Sequence, residues 1–236
     1  MNIALALLII GIIILVHEVG HFIAAKLAGI RVERLSIGFG PRVAAFTSRG
    51  TEYRLSLVPL GGYVLPAVAD ENDFFRYPVM KRVIFSLGGP GANILLAVIL
   101  FAAINFNREG LTLQGVLLQP PVQTAALLKG FALSFLSVFS RPDQLSGIVG
   151  MVSQGGAFIG GNPLKALHFS IIISLNLAIF NLLPVPALDG GKVFLYLLEK
   201  IHPRMAKLHL PLAIAGWACV IGLMIYVTVL DIGRLV

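Results

Sequence analysis

The chain reads as an all-α polytopic membrane protein of about four transmembrane helices, with a small membrane-associated β-hairpin or sheet after the first helix. Three observations lead there. Of its 236 residues, 57% are hydrophobic and 12% charged, and the mean hydropathy is +0.91; soluble domains are about 45–50% apolar. Four apolar runs, 3–28, 83–106, 164–183 and 210–230, each approach or exceed the roughly 20 residues needed to cross a hydrocarbon core about 30 Å thick. Between the first two runs the hydrophobic period changes from helical to alternating.

The first run has only Met1 and Asn2 ahead of it and no small-residue cleavage site. It is therefore expected to stay attached rather than to be removed as a signal peptide. Cys219, the single cysteine, has no internal disulfide partner and says nothing about a redox compartment.

The net charge of +7 does not point to nucleic acid, because the basic residues flank membrane spans instead of clustering with aromatics on a soluble face. Nine of them (Lys26, Arg31, Arg34, Arg42, Arg49, Arg54, Arg76, Lys81, Arg82) lie between the first and second runs. Between the third and fourth lie Lys192, Lys200, Arg204 and Lys207. The intervening connection holds Arg108, Lys129, Arg141 and Lys165 over a similar length to the first. Lys and Arg concentrate in cytoplasmic loops, so the amino terminus is expected outside and the first and third connections inside.

Residues 31–64 alternate apolar with polar side chains, and SRGTE interrupts them as a turn. Short strands are expected. The stretch 67–78, AVADENDFFRYP, reads as a solvated loop. SLGGPGANILLAV then opens the second span, where Gly88, Gly89 and Gly91 suit close helix packing, and Asn93 is either a packing contact or a brace. Residues 121–140 contain Lys129, Ser134 and Ser137 within an apolar stretch, which favours an interfacial or re-entrant helix over a fifth span. A fifth crossing would also invert the later spans relative to their charges. One membrane-embedded domain is expected over 1–236, its third span followed by an irregular loop at 184–191.

The polar core of LVHEVGHFIAAK carries the chemistry. On a helix, His17 and His21 are one turn apart on one face, the spacing with which two imidazoles bind one zinc ion. Glu18 is placed to act as general base on a water without ligating the metal. Ionisable groups at a helix centre cost about 2.5–3.5 kcal/mol each on insertion scales, so three within five residues need partners. A divalent cation, one Zn2+, supplies that compensation.

Zinc in a hydrolytic site takes three protein ligands and leaves one position open. Asp189, in NLLPVPALDGG, is the carboxylate best placed for the third. Pro184 and Pro186 break the helix ahead of it, and Gly190 and Gly191 free the backbone after it. Asp at a helix start is also a common N-cap. Asn176 and Asn181 either join helices by hydrogen bonds or hold a substrate strand or a tetrahedral intermediate. His21 is five residues from Lys26, about 7.5 Å along a helix, and Asp189 is three from Lys192, so both halves of the site fall at a similar depth. His168, His202, His209 and Glu199 read as scattered or solvated.

HEVGH on the first span together with NLLPVPALDGG on a later one resembles the site-2 proteases, the intramembrane zinc metalloproteases. The likeness extends through GFGP, YRLSLVPLGGYV, GGPGAN and LSGIVG, in the order of the bacterial branch that cleaves anti-sigma factors and remnant signal peptides. The resemblance implies that His17, His21 and Asp189 ligate zinc and that Glu18 activates water. It also implies substrate contacts from Asn181 and its neighbours, including Asn176, Pro184 and Pro186. In the 51–64 hairpin, Leu55, Leu57, Gly61 and Gly62 belong to the strands that would present an edge to an unwound substrate helix. An extended peptide can be held in this way by adding a strand to a sheet.

The connection between the second and third spans is too short for the PDZ domain usual in this branch, on the order of 90 residues. A substrate filter is then absent, built from 107–140, or supplied by an unknown adaptor. The partners implied are transmembrane protein substrates and the lipid bilayer, with no nucleic acid. Transport is the contrary reading, but residues 3–16 are apolar apart from Gly11 and offer no outer half of a path. A member that binds membrane segments without cutting is the other alternative, against which the intact Glu18 speaks.

Overall fold

Alternation and helical periodicity divide the chain where the sequence changes character. The computed structural model describes residues 2–68, 71–138 and 147–235. Helix α1 (Asn2–Leu27) is followed by strands β1 (Val32–Ser48) and β2 (Thr51–Pro66), short helix α2 (Glu71–Phe75) and long helix α3 (Val79–Glu109). A π-helical turn (Gln114–Leu118) leads into α4 (Gln119–Val138), then α5 (Ile148–Ile159) and α6 (Pro163–Leu182). Helix α7 (Asp189–Ile201), a 3₁₀ turn (Pro203–Leu208) and α8 (His209–Leu235) complete the described chain.

Among the described residues, four helical stretches are long and apolar enough to cross a membrane: α1, α3, α6 and Met205–Gly233. They coincide with the four apolar runs. Helix α3 begins four residues before its run because Pro78 precedes it, and a fixed proline φ suits a helix start. Helix α4 has 20 residues and carries Gln119, Gln123 and Lys129 among its apolar side chains. Of the expected 121–140 segment, 139 and 140 lie outside the described residues, as do Leu145 and Ser146 of LSGIVG.

The chain forms two compact units. One comprises Gly11–Asn93 and Phe180–Ile214. Within it β1 and β2 pair antiparallel through a two-residue loop at Arg49 and Gly50, whose positive φ values of 48° and 76° give the tight hairpin turn that matches strand twist. Both strands bend back on themselves. Arg34–Ile37 is bracketed by Gly62–Leu65 on one side and Glu52–Leu55 on the other, and Leu55 pairs again with Ala44. Glu52–Leu55 is therefore interior to the sheet. Gly62–Pro66 is paired on one side only among the described residues.

The same unit packs Ala25, Ala28, Ile30 and Val32 against Phe22, Val64, Phe74, Tyr77 and Phe85. This corrects the solvated-loop reading of 67–78. Two aromatics of DFFRYP anchor the segment, while its acids gave it the composition of a loop. Hydrocarbon offers helices no hydrophobic reason to associate, so close approach depends on small side chains. Here a β-carbon on Gly88 would stand 2.6 Å from the carbonyl oxygen of Gly20, so α1 and α3 touch backbone to backbone. Arg82, 1% exposed, donates from Nη1 and Nη2 to both oxygens of Glu199 at 2.8 and 2.7 Å. Glu199 is thus not the solvated helix end its neighbour Lys200 suggests.

The other unit comprises Met1–Ile10, Ile94–Ile179 and Ala215–Val236. Ala97, Ile104, Ile171 and Leu175 form one cluster with flanking leucines and Phe101 and Phe131; Ala6, Ile159 and Phe169 form a second. The buried Asp231 carboxylate accepts the amides of Gly147 and Gly150, each at 2.8 Å, satisfying N–H groups that the start of α5 leaves open.

Candidate metal centre

All the atoms at issue belong to the unit formed by 11–93 and 180–214. One helical turn of α1 carries His17 and His21, both buried. Their Nε2 atoms are 3.1 Å apart, and Oδ2 of Asp189 lies 3.2 Å from the first and 3.1 Å from the second. Donor atoms on one tetrahedral zinc, each about 2.0–2.2 Å from it, stand about 3.3 Å from one another. The triangle has that size.

The tautomer fits as well. His21 Nδ1–H donates to the Phe85 carbonyl at 2.8 Å, which leaves the Nε2 lone pair facing the cluster. Nδ1 of His17 lies 3.2 Å from Nδ2 of Asn93, a residue with 0% exposure, so it is His21 that fixes the tautomer. Asn93 is thus a brace. Space beside the two rings is kept by Gly89, where a β-carbon would stand 2.6 Å from His17 Nε2. The donor set, its dimensions and this cradle fit a small divalent cation, and among the described residues it is the one such group of three.

Asp189 reaches the cluster because the chain before it turns tightly. Leu188 donates to the Val185 carbonyl at 2.8 Å, and β-carbons on Gly190 or Gly191 would collide with the backbone of Leu182 and Val185. Leu188 is the N-cap of α7 and makes no side-chain cap, so Asp189 occupies the first helical position and points its carboxylate at the histidines instead. Burial pushes that carboxyl up, but hydrogen bonds from His17 and His21 and the charge of Lys192 outweigh it and hold it far below the usual range.

Glu18 is half-buried one residue past His17. A β-carbon on Gly62 would stand 3.0 Å from its Cγ, so the one-sided strand of the hairpin runs beside it. Gly61, at φ +116°, lies under the Phe39 ring, whose Cζ would be 3.0 Å from a β-carbon there. Of the other expected contacts, Leu57 is exposed and Leu55 lies in the doubly paired part of the sheet. Asn181 is half-buried, Pro184 exposed and Pro186 half-buried between α6 and α7. Asn176 is exposed on α6 and belongs to the other unit. Sequence reasoning did not single out Lys192 or Phe85. The lysine was legible in principle, one helical turn beyond Asp189; the carbonyl was not, since it depends on how α3 crosses α1.

The model of peptidase family M50 matches residues 5–227. Among relatives, a protein of Clostridium acetobutylicum assigned as a zinc metalloprotease is 26% identical over 331 aligned positions, covering 98% of this chain and 97% of that one. A counterpart in Clostridium perfringens with the same assignment is 28% identical over 332 positions, covering 98% of each. The chloroplast protein ARASP2 of Arabidopsis thaliana, assigned as a membrane metalloprotease, is 26% identical over 80% of this chain and 70% of its own. The clostridial alignments are longer than the chain's 236 residues; roughly 100 positions of the relatives therefore face gaps, the size of one small domain. On this match over nearly its whole length, the chain belongs to peptidase family M50, the site-2 proteases, and is a multi-pass membrane metalloprotease with zinc as its cofactor.

Proposed function

We propose that the chain hydrolyses peptide bonds within or near transmembrane segments of membrane proteins such as anti-sigma factors or remnant signal peptides, in regulated intramembrane proteolysis. In this reading His17, His21 and Asp189 hold the zinc and Glu18 is the general base. The observation that carries it is the convergence of two imidazoles and a carboxylate within 3.2 Å, with the flank of Glu18 against a strand paired on one side only.

Zinc bound there supplies Lewis-acid polarisation of a carbonyl and makes water nucleophilic near neutral pH. Glu18 removes the proton from the attacking water and returns it to the departing amine. A helix hides its own peptide groups, so a substrate segment must unwind before attack. The edge of Gly62–Pro66, paired on one side only among the described residues, offers N–H and C=O groups to such an extended segment, while Asn181, Pro184 and Pro186 bound its other side. Leu57 and Gly61, on the same hairpin, flank the approach. The Lys and Arg distribution supports an inner-membrane setting with the amino terminus outside and the site near the cytoplasmic face. One membrane-embedded domain performs the reaction, and the substrate filter that a PDZ domain provides elsewhere is absent, built from 107–140 or supplied by an adaptor.

Purified wild type and Glu18→Gln, each with zinc content measured, are incubated in detergent with single-span reporters carrying long or short outer domains. Wild type is expected to cut near the cytoplasmic end of the reporter helix. Glu18→Gln should keep zinc and lose at least about 100-fold in rate, the scale of general-base catalysis. A zinc-loaded Glu18→Gln protein with full activity would sink the assigned role, and cuts confined to soluble loops would sink the substrate class.

A further inference from the structure

We infer that Lys192 is a positioning residue that divides the Asp189 carboxylate, engaging Oδ1 so that Oδ2 alone faces the two imidazoles. This rests on His17, His21 and Asp189 being the zinc ligands. The Lys192 ammonium donates to Asp189 Oδ1 at 3.3 Å, while Oδ2 is the oxygen 3.2 and 3.1 Å from the histidine nitrogens. The two oxygens of one carboxylate thus have different partners. Three positions apart on α7, the two side chains share a helix face.

The backbone under Asp189 has little freedom, because Gly190 and Gly191 lie against the carbonyls of Leu182 and Val185. What remains is rotation of the carboxylate. Its second oxygen is engaged by Lys192, one helical turn further along α7. With Oδ1 held, the carboxylate offers one oxygen, and three protein atoms leave a fourth position open as hydrolysis requires. Without the ammonium, Oδ1 is free to turn inward and take that position. Removing Lys192 should therefore impair turnover while leaving the metal in place, unlike the loss of a ligand.

An ion pair whose lysine is 44% exposed contributes little to stability, so Lys192→Met is expected to fold, with a thermal unfolding curve close to wild type. Zinc is replaced by cobalt(II) in the full chain in detergent, because four-coordinate cobalt absorbs strongly in the visible and five-coordinate cobalt weakly. Wild type and Lys192→Arg should give the strong spectrum and Lys192→Met the weak one. Chelator competition should find zinc held by Lys192→Met at least as tightly as by wild type. Its kcat should fall by about 10-fold or more, the scale of lost outer-shell support, with KM unchanged. Lys192→Met with the wild-type spectrum and kcat overturns the inference, and so does a Lys192→Arg variant as impaired as Lys192→Met. Asp189→Ala separates the two levels of the argument. If it leaves the cobalt spectrum unaltered, the ligand assignment itself falls; if it alters the spectrum and Lys192→Met does not, only the role of Lys192 falls.

Discussion

Gly89 of α3 lies against the imidazole of His17: a β-carbon at position 89 would stand 2.6 Å from Nε2 and 2.7 Å from Cε1 of that ring. Only hydrogen fits there. Gly89→Ala, which in an ordinary helix interior would be favourable, is expected here to push the ring out of the cluster. Zinc per chain after purification should drop at least about 10-fold, with the helical circular dichroism retained. Full zinc occupancy in this variant would show that the ring has room to yield.

Asn93 is the brace on the far side of the same ring. Outer partners of ligating histidines typically account for about 10–100-fold in metal affinity, and Asn93→Ala should lose an amount in that range. Competition with a chromogenic chelator measures it. Saturating zinc should restore most of the activity, which distinguishes a brace from a group acting on substrate.

Glu199 provides a pH signature away from the metal. Hydrogen bonds from Arg82 hold its carboxyl below the ordinary range, against the upward push of burial, and His209, 3.1 Å away, adds to the effect. Arg82 also lies over the rings of Phe75 and Tyr196 at 5.2 and 4.7 Å. A carboxylate with a lowered folded pKa contributes stability that is fully present above its unfolded value, about 4.3, and is lost as pH falls through the folded value. Thermal unfolding in detergent between pH 7 and 3 should show this as a steepening loss for wild type. Glu199→Gln should unfold earlier at pH 7, by about 3 kcal/mol for an arginine left without its carboxylate, and show a shallower acid limb. Parallel acid limbs would contradict the assignment.

The hairpin edge is tested at Gly62, where a β-carbon would also stand 2.7 Å from the carbonyl oxygen of Ser36. Gly62→Ala must shift the strand relative to Glu18. Cleavage should fall by about 10-fold or more in kcat/KM, the scale of a misplacement near 1 Å, while zinc content stays at the wild-type level. Loss of zinc instead would mean that the strand supports the metal rather than the substrate.

The parts legible in the sequence are those fixed by local periodicity or by chemistry that cannot be tolerated alone. The four spans follow from apolar length, the hairpin from alternation around SRGT, and the pairing of His17 with His21 from polar groups that a bilayer would otherwise penalise. Asp189 was legible because a carboxylate flanked by helix breakers needs a reason to be there. What escaped reading depends on contacts between distant segments. DFFRYP has the polarity of a loop, and only Phe74 and Tyr77 meeting Ala25 and Ile30 make it part of the core. Arg82 and Glu199 are 117 residues apart, and each alone has the look of a solvated flank. The bending of β2, which leaves Leu55 interior and Gly62 at an edge, is set by pairings that alternation cannot distinguish.

The members of the His17, His21 and Asp189 cluster are unevenly spread along the chain: His17 and Asp189 stand 172 residues apart, whereas the glycine contact between α1 and α3 joins segments synthesised early. Membrane and domain assembly follow the order of synthesis, amino terminus first. A growing chain can thus bring its histidines, Asn93 and Gly89 together while the carboxylate is still on the ribosome. Until α7 emerges the cluster has two of its three members. On the proposed roles, hydrolytic competence arrives with the last fifth of the polypeptide, and a truncated or stalled product that lacks Asp189 is expected to be inert instead of an unsupervised protease.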